Sequence, residues 1–99
     1  MKDKVQRFRE LAAHIYSTYQ KKNADYGDSF SRSIDLYGYV AGLVRMSDKW
    51  NRLNALLSPG AERKVADEKV QDTLLDLASY CIMMAMEVEK REKVLDNPE

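Results

Sequence analysis

The feature that most constrains the fold is a run of apolar residues that contains a carboxylate. From Leu74 to Met86 the side chains would be apolar almost all the way round a helix, with Asp76 and Ser79 as the clear exceptions. A helix that is apolar on every side is expected to be buried on every side. Because a buried, ionised carboxylate is costly unless it is paired or binds a metal ion, we expect Asp76 to have such a partner.

Asp76 is the last of three evenly spaced carboxylates. Glu68, Asp72 and Asp76 follow one another every four residues, which places them along one face of a helix. Like charges at this spacing repel each other and weaken a helix, so we expect a ligand that offsets the repulsion. Mg²⁺ and Mn²⁺ prefer carboxylate oxygens. The three carboxylates therefore predict a site for one of these ions.

Length and charge narrow the class of protein. The 99 residues are enough for one domain, residues 1–99, and the formal net charge is zero. A neutral chain gives no electrostatic reason to expect nucleic-acid binding or a basic membrane anchor. The N-terminus lacks the apolar segment of a signal peptide, and the longest uninterrupted apolar run, Tyr80–Met86, is too short to span a membrane. Cys81, the single cysteine, cannot form an internal disulfide, so a cytoplasmic location is expected.

Hydrophobic periodicity predicts an all-α fold, a bundle of two shorter helices and one long helix. A long loop precedes the second helix, because residues 23–38 contain many turn-forming residues. Residues 61–66 could be loop or an early turn of the third helix. The three helices are expected at Asp3 to about Lys22, Tyr39 to Leu57, and Glu68 to about Leu95.

Each predicted helix has an apolar stripe, and the third has two. A monomer of three helices leaves the second stripe of the long helix uncovered, so a homodimer that completes the bundle is expected. The predicted core positions are Val5, Phe8, Ala12, Ile15 and Tyr19, then Val40, Leu43, Ser47, Trp50, Leu53 and Leu57 with Met46 beside them, then Val70, Leu74, Leu77, Cys81, Met84 and Val88. The second stripe of the long helix consists of Leu75, Ile82 and Met86.

Two features allow more than one interpretation. The aromatic residues of the predicted loop could pack on the bundle or form the wall of a pocket for a base. On the second helix, Arg45, Asp48 and Arg52 lie off the apolar stripe and could form a surface ion-pair ladder. Alternatively, Asp48 faces the acidic stripe as a fourth carboxylate, while Arg45, Lys49 or Arg52 reaches phosphate. His14 is expected at the surface.

Three segments together resemble a known family. Their sequences are Asp25-Tyr-Gly-Asp-Ser-Phe30, Gly42-Leu-Val-Arg-Met-Ser-Asp-Lys-Trp-Asn-Arg-Leu53 and Asp72-Thr-Leu-Leu-Asp-Leu-Ala-Ser-Tyr80. In this order they resemble the nucleotide modification associated domain family of phages and prophages, over roughly Lys22 to Met86. That family is grouped with the all-α NTP pyrophosphatases, the relatives of MazG and the dimeric dUTPases.

The resemblance implies a set of site residues. In the pyrophosphatases, one helix carries Glu-x-x-Glu and the next Glu-x-x-Asp, and the four carboxylates hold Mg²⁺ on the triphosphate. This chain departs from that pattern, with a single carboxylate on the second helix and a spacing of four on the third. The implied catalytic metal ligands are Asp48, Glu68 and Asp72, and Asp76 is a further ligand or orients one. The implied substrate contacts are Arg45, Lys49, Arg52 and Lys22 to phosphate and Tyr26 to the base or sugar.

The resulting expectation is a Mg²⁺-dependent or Mn²⁺-dependent enzyme of phage or prophage nucleotide metabolism. It would hydrolyse a nucleoside or deoxynucleoside triphosphate to the monophosphate and pyrophosphate. The alternative is a non-catalytic protein that binds a nucleotide or a host protein through the same surface. A third possibility is a helical dimer whose acidic stripe only forms salt bridges with Arg45 and Arg52.

Overall fold

The computed structural model describes residues 3–26, 28–60 and 67–96, except for the side chains at positions 25–26, 67–69 and 93–96. Over these residues the regular structure is entirely helical, which confirms the all-α prediction. None of the helices in this part of the chain is long and apolar enough to cross a membrane. The helices are α1 (Lys4–Tyr26), α2 (Ser29–Tyr37), α3 (Val40–Leu57) and α4 (Asp67–Asp96).

The prediction of a long loop at residues 23–38 is wrong. Helix α1 continues to Tyr26, and α2 occupies most of the remainder. Phe30, Ile34 and Tyr37 recur at helical spacing, and Ile34 is 3% exposed, so burial outweighs the turn preference of the serines. Helix α2 ends at Tyr37 and is capped by Gly38, which has φ +79° and donates its N–H to the Ile34 carbonyl at 2.8 Å. A glycine adopts this left-handed conformation without steric cost.

Helices α3 and α4 form an antiparallel pair. Gly42, near the start of α3, lies against Met84, whereas Lys49 further along α3 is paired with Asp76. The contact at Gly42 depends on the missing side chain. A Cβ atom there would lie 2.6 Å from Met84 Sδ and 3.2 Å from Phe30 Cζ, both closer than normal contact. The glycine therefore allows α2, α3 and α4 to approach each other closely.

Helix α1 packs on the other side of α4 and runs in the same direction. A small cleft between the two helices is lined by Arg7 and His14 from the first half of α1 and by Gln71 and Leu75 from the first part of α4. Later residues of α1 line a second, larger cleft with later residues of α4. Residue numbers therefore rise together along the two helices.

The core of the single chain is small. Among the described residues, the buried hydrophobic side chains are Ile34, Leu53 and Val70. The expectation that the Leu74–Met86 segment is buried on every side is wrong for the single chain, because the other helices cover only part of α4. Parts of α1 and α3 are uncovered in the same way. The predicted core positions that are exposed are Val5, Phe8 and Ala12 on α1, Val40, Leu43, Ser47, Trp50 and Leu57 on α3, and Leu74 and Cys81 on α4; Ile82 and Met86 of the second stripe are exposed as well.

Candidate functional site

The larger cleft lies between α1, the start of α2, and the α3–α4 pair. Its volume is about 680 Å³, within the range of roughly 300–1,000 Å³ that is usual for small-molecule sites. All four helices contribute side chains to it. The cleft is therefore assembled by the tertiary fold and not by one segment of sequence.

Helix α4 supplies the floor of the cleft. Asp72, Asp76, Ser79, Tyr80 and Met83 all line it. They are spaced by three, four or one residue, so they lie along one face of the helix. The face changes from acidic at Asp72 and Asp76 to aromatic and apolar at Tyr80 and Met83. The two ends of the cleft therefore differ in chemistry.

Helix α3 adds two cations opposite this face. Arg45 and Lys49 line the cleft, and Lys49 Nζ lies 3.4 Å from Asp76 Oδ2. Both side chains of this ion pair are about a third exposed, at 31% and 40%. A pair with this exposure contributes only tenths of a kcal/mol up to about 1 kcal/mol to stability. Lys49 is thus free to exchange Asp76 for an anionic ligand at little cost.

Helix α1 contributes a row of polar residues to the cleft, of which only Lys22 was expected from the sequence as a site residue. His14, Thr18 and Lys22 line the cleft at a spacing of four residues. His14 is exposed as expected, but it also lies in both clefts, on the side where Asp72 lies. The feature of the sequence that could have predicted these site residues is their regular spacing beside the apolar positions Ile15 and Tyr19.

An aromatic pair closes the other end of the cleft. The rings of Phe30 and Tyr80 have centroids 5.8 Å apart and planes inclined by 38°. Both rings line the cleft, and Asp28 and Ser29 lie beside them at the start of α2. Aromatic faces of this kind suit a flat, apolar ligand group. Phe30 and Tyr80 belong to the segments that carry the family resemblance, but their pairing depends on the unexpected helix α2.

The structure brings together part of the expected site. Asp72, Asp76, Arg45, Lys49 and Lys22 all line the cleft. Two other expected residues, Asp48 and Arg52, are exposed on α3 outside the described lining of the cleft. The side chains of Tyr26 and Glu68 lie outside the described residues.

The cleft contains charges of both signs. Lys22, Arg45 and Lys49 carry positive charge, and Asp28, Asp72 and Asp76 carry negative charge. Among the described residues, no group of three or more histidine, cysteine, aspartate or glutamate side chains is close enough to hold a metal ion. Mg²⁺ is usually bound by one or two carboxylates together with substrate phosphates. Asp72 and Asp76 fit that mode of binding but do not form a complete protein site.

A sequence profile now connects this cleft to a family. The profile of the family described as nucleotide modification associated domain 1 matches residues 22–88, about two thirds of the chain. The chain belongs to this family. The match confirms the resemblance expected from the three segments. Comparisons with curated proteins and with solved structures gave no significant match.

The matched range of the nucleotide modification associated domain contains most of the cleft. It includes the cations Lys22, Arg45 and Lys49, the acidic floor and the aromatic pair. It begins after His14 and Thr18, so these two residues belong to the part of α1 outside the match. The cleft is therefore mainly a feature of the family domain, with an additional contribution from the first helix.

Proposed function

We propose that the chain binds a nucleoside triphosphate in the larger cleft and hydrolyses it to the monophosphate and pyrophosphate with Mg²⁺ or Mn²⁺. One observation carries this proposal: a single cleft brings together three cations, two neighbouring carboxylates and a pair of aromatic rings. These are the groups needed for phosphates, a hard metal ion and a base, respectively. The family description, which refers to nucleotides, is consistent with it.

The fold suggests how a nucleotide would lie. Lys49 and Asp76 are at the same level of the antiparallel α3–α4 pair. One helical turn further, about 5.4 Å, the corresponding residues are Arg45 on α3 and Tyr80 on α4. The base would stack near Phe30 and Tyr80, and the phosphates would extend past Arg45 towards Asp76.

The residues of the cleft would have distinct roles. Lys22, Arg45 and Lys49 would bind phosphate oxygens and offset the charge that develops on them during hydrolysis. Asp72 and Asp76 would hold the metal ion, which when bound would neutralise phosphate charge and lower the pKa of the attacking water. Lys49 would exchange its contact with Asp76 for a phosphate oxygen.

The proposed relation to the MazG-like pyrophosphatases of phages and their hosts adds further candidates. Under this relation, Glu68 and Asp48 would be additional catalytic metal ligands, with Arg52 and Tyr26 as substrate contacts. Glu68 precedes Asp72 by one helical turn, which places its backbone beside the acidic end of the cleft. Asp48 would have to reach the metal from the neighbouring face of α3.

A second candidate function is nucleotide binding without hydrolysis. One observation favours it: Asp48, the expected metal ligand on α3, is exposed outside the described lining of the cleft. In this case the same cations and aromatic rings would bind the nucleotide, but the metal and the attacking water would not be held in place. A non-catalytic protein of this type could also bind a host protein through the same surface.

Turnover assays separate the two candidates. The protein is incubated with each common NTP and dNTP and with Mg²⁺ or Mn²⁺, and pyrophosphate release and equilibrium binding are both measured. Pyrophosphate production supports the enzyme, saturable binding without production supports the second candidate, and the absence of both refutes the proposal. Lys22→Met should weaken nucleotide binding at least about tenfold, because a hydrogen bond to a charged group contributes about 1.5–3 kcal/mol. The adjacent Lys21→Met is the matched control, because Lys21 is exposed outside the described lining of the cleft.

We infer that a second copy of the chain covers the exposed apolar faces. Large exposed apolar patches are unusual in soluble monomers, because apolar surface is stabilised by burial against another apolar surface. The apolar side chains on α3 and α4 that are about half exposed include Leu43, Val44, Trp50, Leu74, Ile82 and Met86.

Sedimentation at micromolar concentration tests this dimer. The expected mass is twice the chain mass of 11.4 kDa, and a single species at the chain mass would contradict the inference. A dimer would also cover Cys81, on the same side of α4 as Leu74. The use of a nucleoside triphosphate and the free thiol fit the cytoplasmic location expected from the sequence.

A further inference from the structure

A buried carboxylate lies outside the cleft, where α2 meets α4. Glu87 is 8% exposed. Its Oε1 atom accepts hydrogen bonds from Ser31 Oγ at 3.0 Å and from Arg91 Nη2 at 2.9 Å, and Lys90 Nζ lies 3.4 Å away. Burial by itself raises the pKa of Glu87, but the hydrogen bonds from Ser31 and Arg91 and the charge of Lys90 hold the pKa below its ordinary value. Glu87 is therefore an ionised acceptor inside the fold.

The groups around Glu87 also hold α2 directly. Lys90 Nζ donates to Ser31 Oγ at 2.7 Å, and Arg91 Nη2 donates to the Ser31 backbone carbonyl at 3.1 Å. Arg91 Nη1 lies 2.7 Å from Asp35 Oδ1, one helical turn further along α2. Without Glu87, Lys90 and Arg91 would both lose the carboxylate beside Ser31, and Arg91 would keep its contact with Asp35. The Glu87 carboxylate thus binds the side chains of Ser31, Lys90 and Arg91, which hold α2 against α4.

The position of α2 decides the shape of the aromatic end of the cleft. Phe30 immediately precedes Ser31, so the contacts of Ser31 with α4 set the direction in which the Phe30 ring points. That ring lies beside Tyr80 in the wall of the cleft. Gly42 leaves the space that Phe30 occupies, since a Cβ atom there would lie 3.2 Å from Phe30 Cζ.

From these contacts we propose that Glu87 is a positioning residue for base recognition. It holds α2 so that Phe30 and Tyr80 together form the surface on which a nucleobase stacks. The inference rests on the proposed function, because it assigns the aromatic end of the cleft to the base of the bound nucleotide. Glu87 itself does not contact the ligand. It determines how strongly the cleft distinguishes a nucleotide from its phosphate chain alone.

Comparison of a nucleoside triphosphate with inorganic tripolyphosphate tests this role. Binding of both ligands to the 99-residue chain is measured by calorimetry for the parent, Glu87→Gln and Glu89→Gln. Glu87→Gln should weaken nucleotide binding at least about fivefold, the lower end of what base–aromatic stacking contributes. Its affinity for tripolyphosphate should stay within about twofold of the parent value, because the phosphate contacts come from α1 and α3.

Matched variants separate positioning from general destabilisation. Glu89→Gln makes the same chemical change at an exposed position two residues away and should leave both affinities unchanged. Phe30→Leu should reproduce the selective loss of nucleotide binding. If Glu87→Gln does not fold, Ser31→Ala removes the hydrogen bonds of the Ser31 hydroxyl with Glu87 and Lys90 but retains the contact of Arg91 with the backbone carbonyl, and it should give a smaller selective loss. An equal loss for both ligands, or no loss for either, would overturn the positioning role.

A ligand-free measurement keeps this inference distinct from the proposed function. The nuclear Overhauser contact between the Phe30 and Tyr80 rings should be present in the parent and in Glu89→Gln, and weak or absent in Glu87→Gln. If the parent binds neither ligand, the proposed function and the base-recognition role both fail, and the ring contact still reports whether Glu87 positions Phe30. If the parent binds both ligands equally well, phosphate binding stands and recognition of the base at this surface is refuted.

Discussion

Replacement of Asp76 by asparagine separates a ligand role from a structural role at one residue. The substitution keeps the shape of the side chain and removes one charge. The structure pairs Asp76 with Lys49 at 3.4 Å, with both side chains about a third exposed. Two unit charges at this distance in water attract each other by about 1.2 kcal/mol. Side-chain entropy and salt reduce this contribution to between about 0.2 and 1 kcal/mol.

A second contribution has the opposite sign. Asp72 lies one helical turn before Asp76, and like charges at this spacing destabilise a helix by about 0.2–0.5 kcal/mol. Removing the charge at Asp76 relieves this repulsion. We therefore expect Asp76→Asn to change the free energy of unfolding by no more than about 1 kcal/mol in the presence of EDTA. For a chain of this length, that corresponds to a melting-temperature change of no more than about 4–8 °C.

The functional loss should be much larger than the change in stability. If the parent binds Mg²⁺ with tripolyphosphate and the ligand is present at about 100 times its dissociation constant, the free energy of unfolding of the parent rises by about 2.7 kcal/mol. Asp76→Asn should lose most of this gain and any pyrophosphate release. Melting curves of the parent, Asp76→Asn and Glu89→Gln, with EDTA and with Mg²⁺ plus tripolyphosphate, are the measurement. Glu89→Gln removes an exposed carboxylate from the same helix and should retain the gain.

Two results would refute the reasoning. A loss of more than about 3 kcal/mol in EDTA would mean that Asp76 balances a buried cation, since breaking a buried pair costs about that much. An equal ligand-induced rise in melting temperature for the parent and Asp76→Asn would mean that Asp76 does not take part in the metal–phosphate site. In that second case Asp72 would be the remaining described carboxylate at the acidic end of the cleft.

Two further predictions concern packing and pH. Gly42→Ala should lower the free energy of unfolding by up to about 2 kcal/mol, because overpacking against Met84 costs about 1–3 kcal/mol and better helix propensity returns only about 1 kcal/mol. Urea denaturation measures the free energy of unfolding of Gly42→Ala. Ala55→Gly, on the exposed side of α3, is the control that reports the difference in helix propensity between alanine and glycine alone. A Gly42→Ala protein about 1 kcal/mol more stable than the parent would contradict the prediction. The pKa of Glu87 is lower in the folded protein than in the unfolded chain, so the ionised carboxylate stabilises the folded state. This stabilisation is fully present at pH values above the pKa of the unfolded chain, and it is lost as the pH falls through the pKa of the folded protein. The difference in melting temperature between the parent and Glu87→Gln should therefore narrow on acidification from pH 7, and a constant difference would show that this carboxylate is not responsible.

Local spacing in the sequence was sufficient to predict the helices that have clear apolar stripes. The predicted second helix, Tyr39 to Leu57, differs from α3 by one residue at its start, and the long third helix differs from α4 by about one residue at each end. The same spacing placed Asp72 and Asp76 on one face of a helix. These features depend only on which residues share a turn, so they are visible without knowledge of the fold.

The short helix α2 shows where local patterns were insufficient. Serines at positions 29, 31 and 33 favour turns when they are considered alone. The burial of Ile34 and the hydrogen bonds of Ser31 to α4 stabilise a helix there. The hydrogen bonds of Ser31 reach residues more than fifty positions away, and the loop prediction failed because these stabilising partners are distant in the sequence.

The composition of the cleft was likewise decided by the tertiary structure. Arg45, Lys49, Asp48 and Arg52 lie within two turns of one helix, and their spacing alone could not show which of them face α4. The close contact at Gly42 and the pairing of Lys49 with Asp76 place Lys49 and Arg45 in the cleft. The sequence by itself determined which charged residues share a helix face. Which faces meet was determined by the approach of α1, α2 and α3 to α4, because contacts between helices depend on packing across the whole chain.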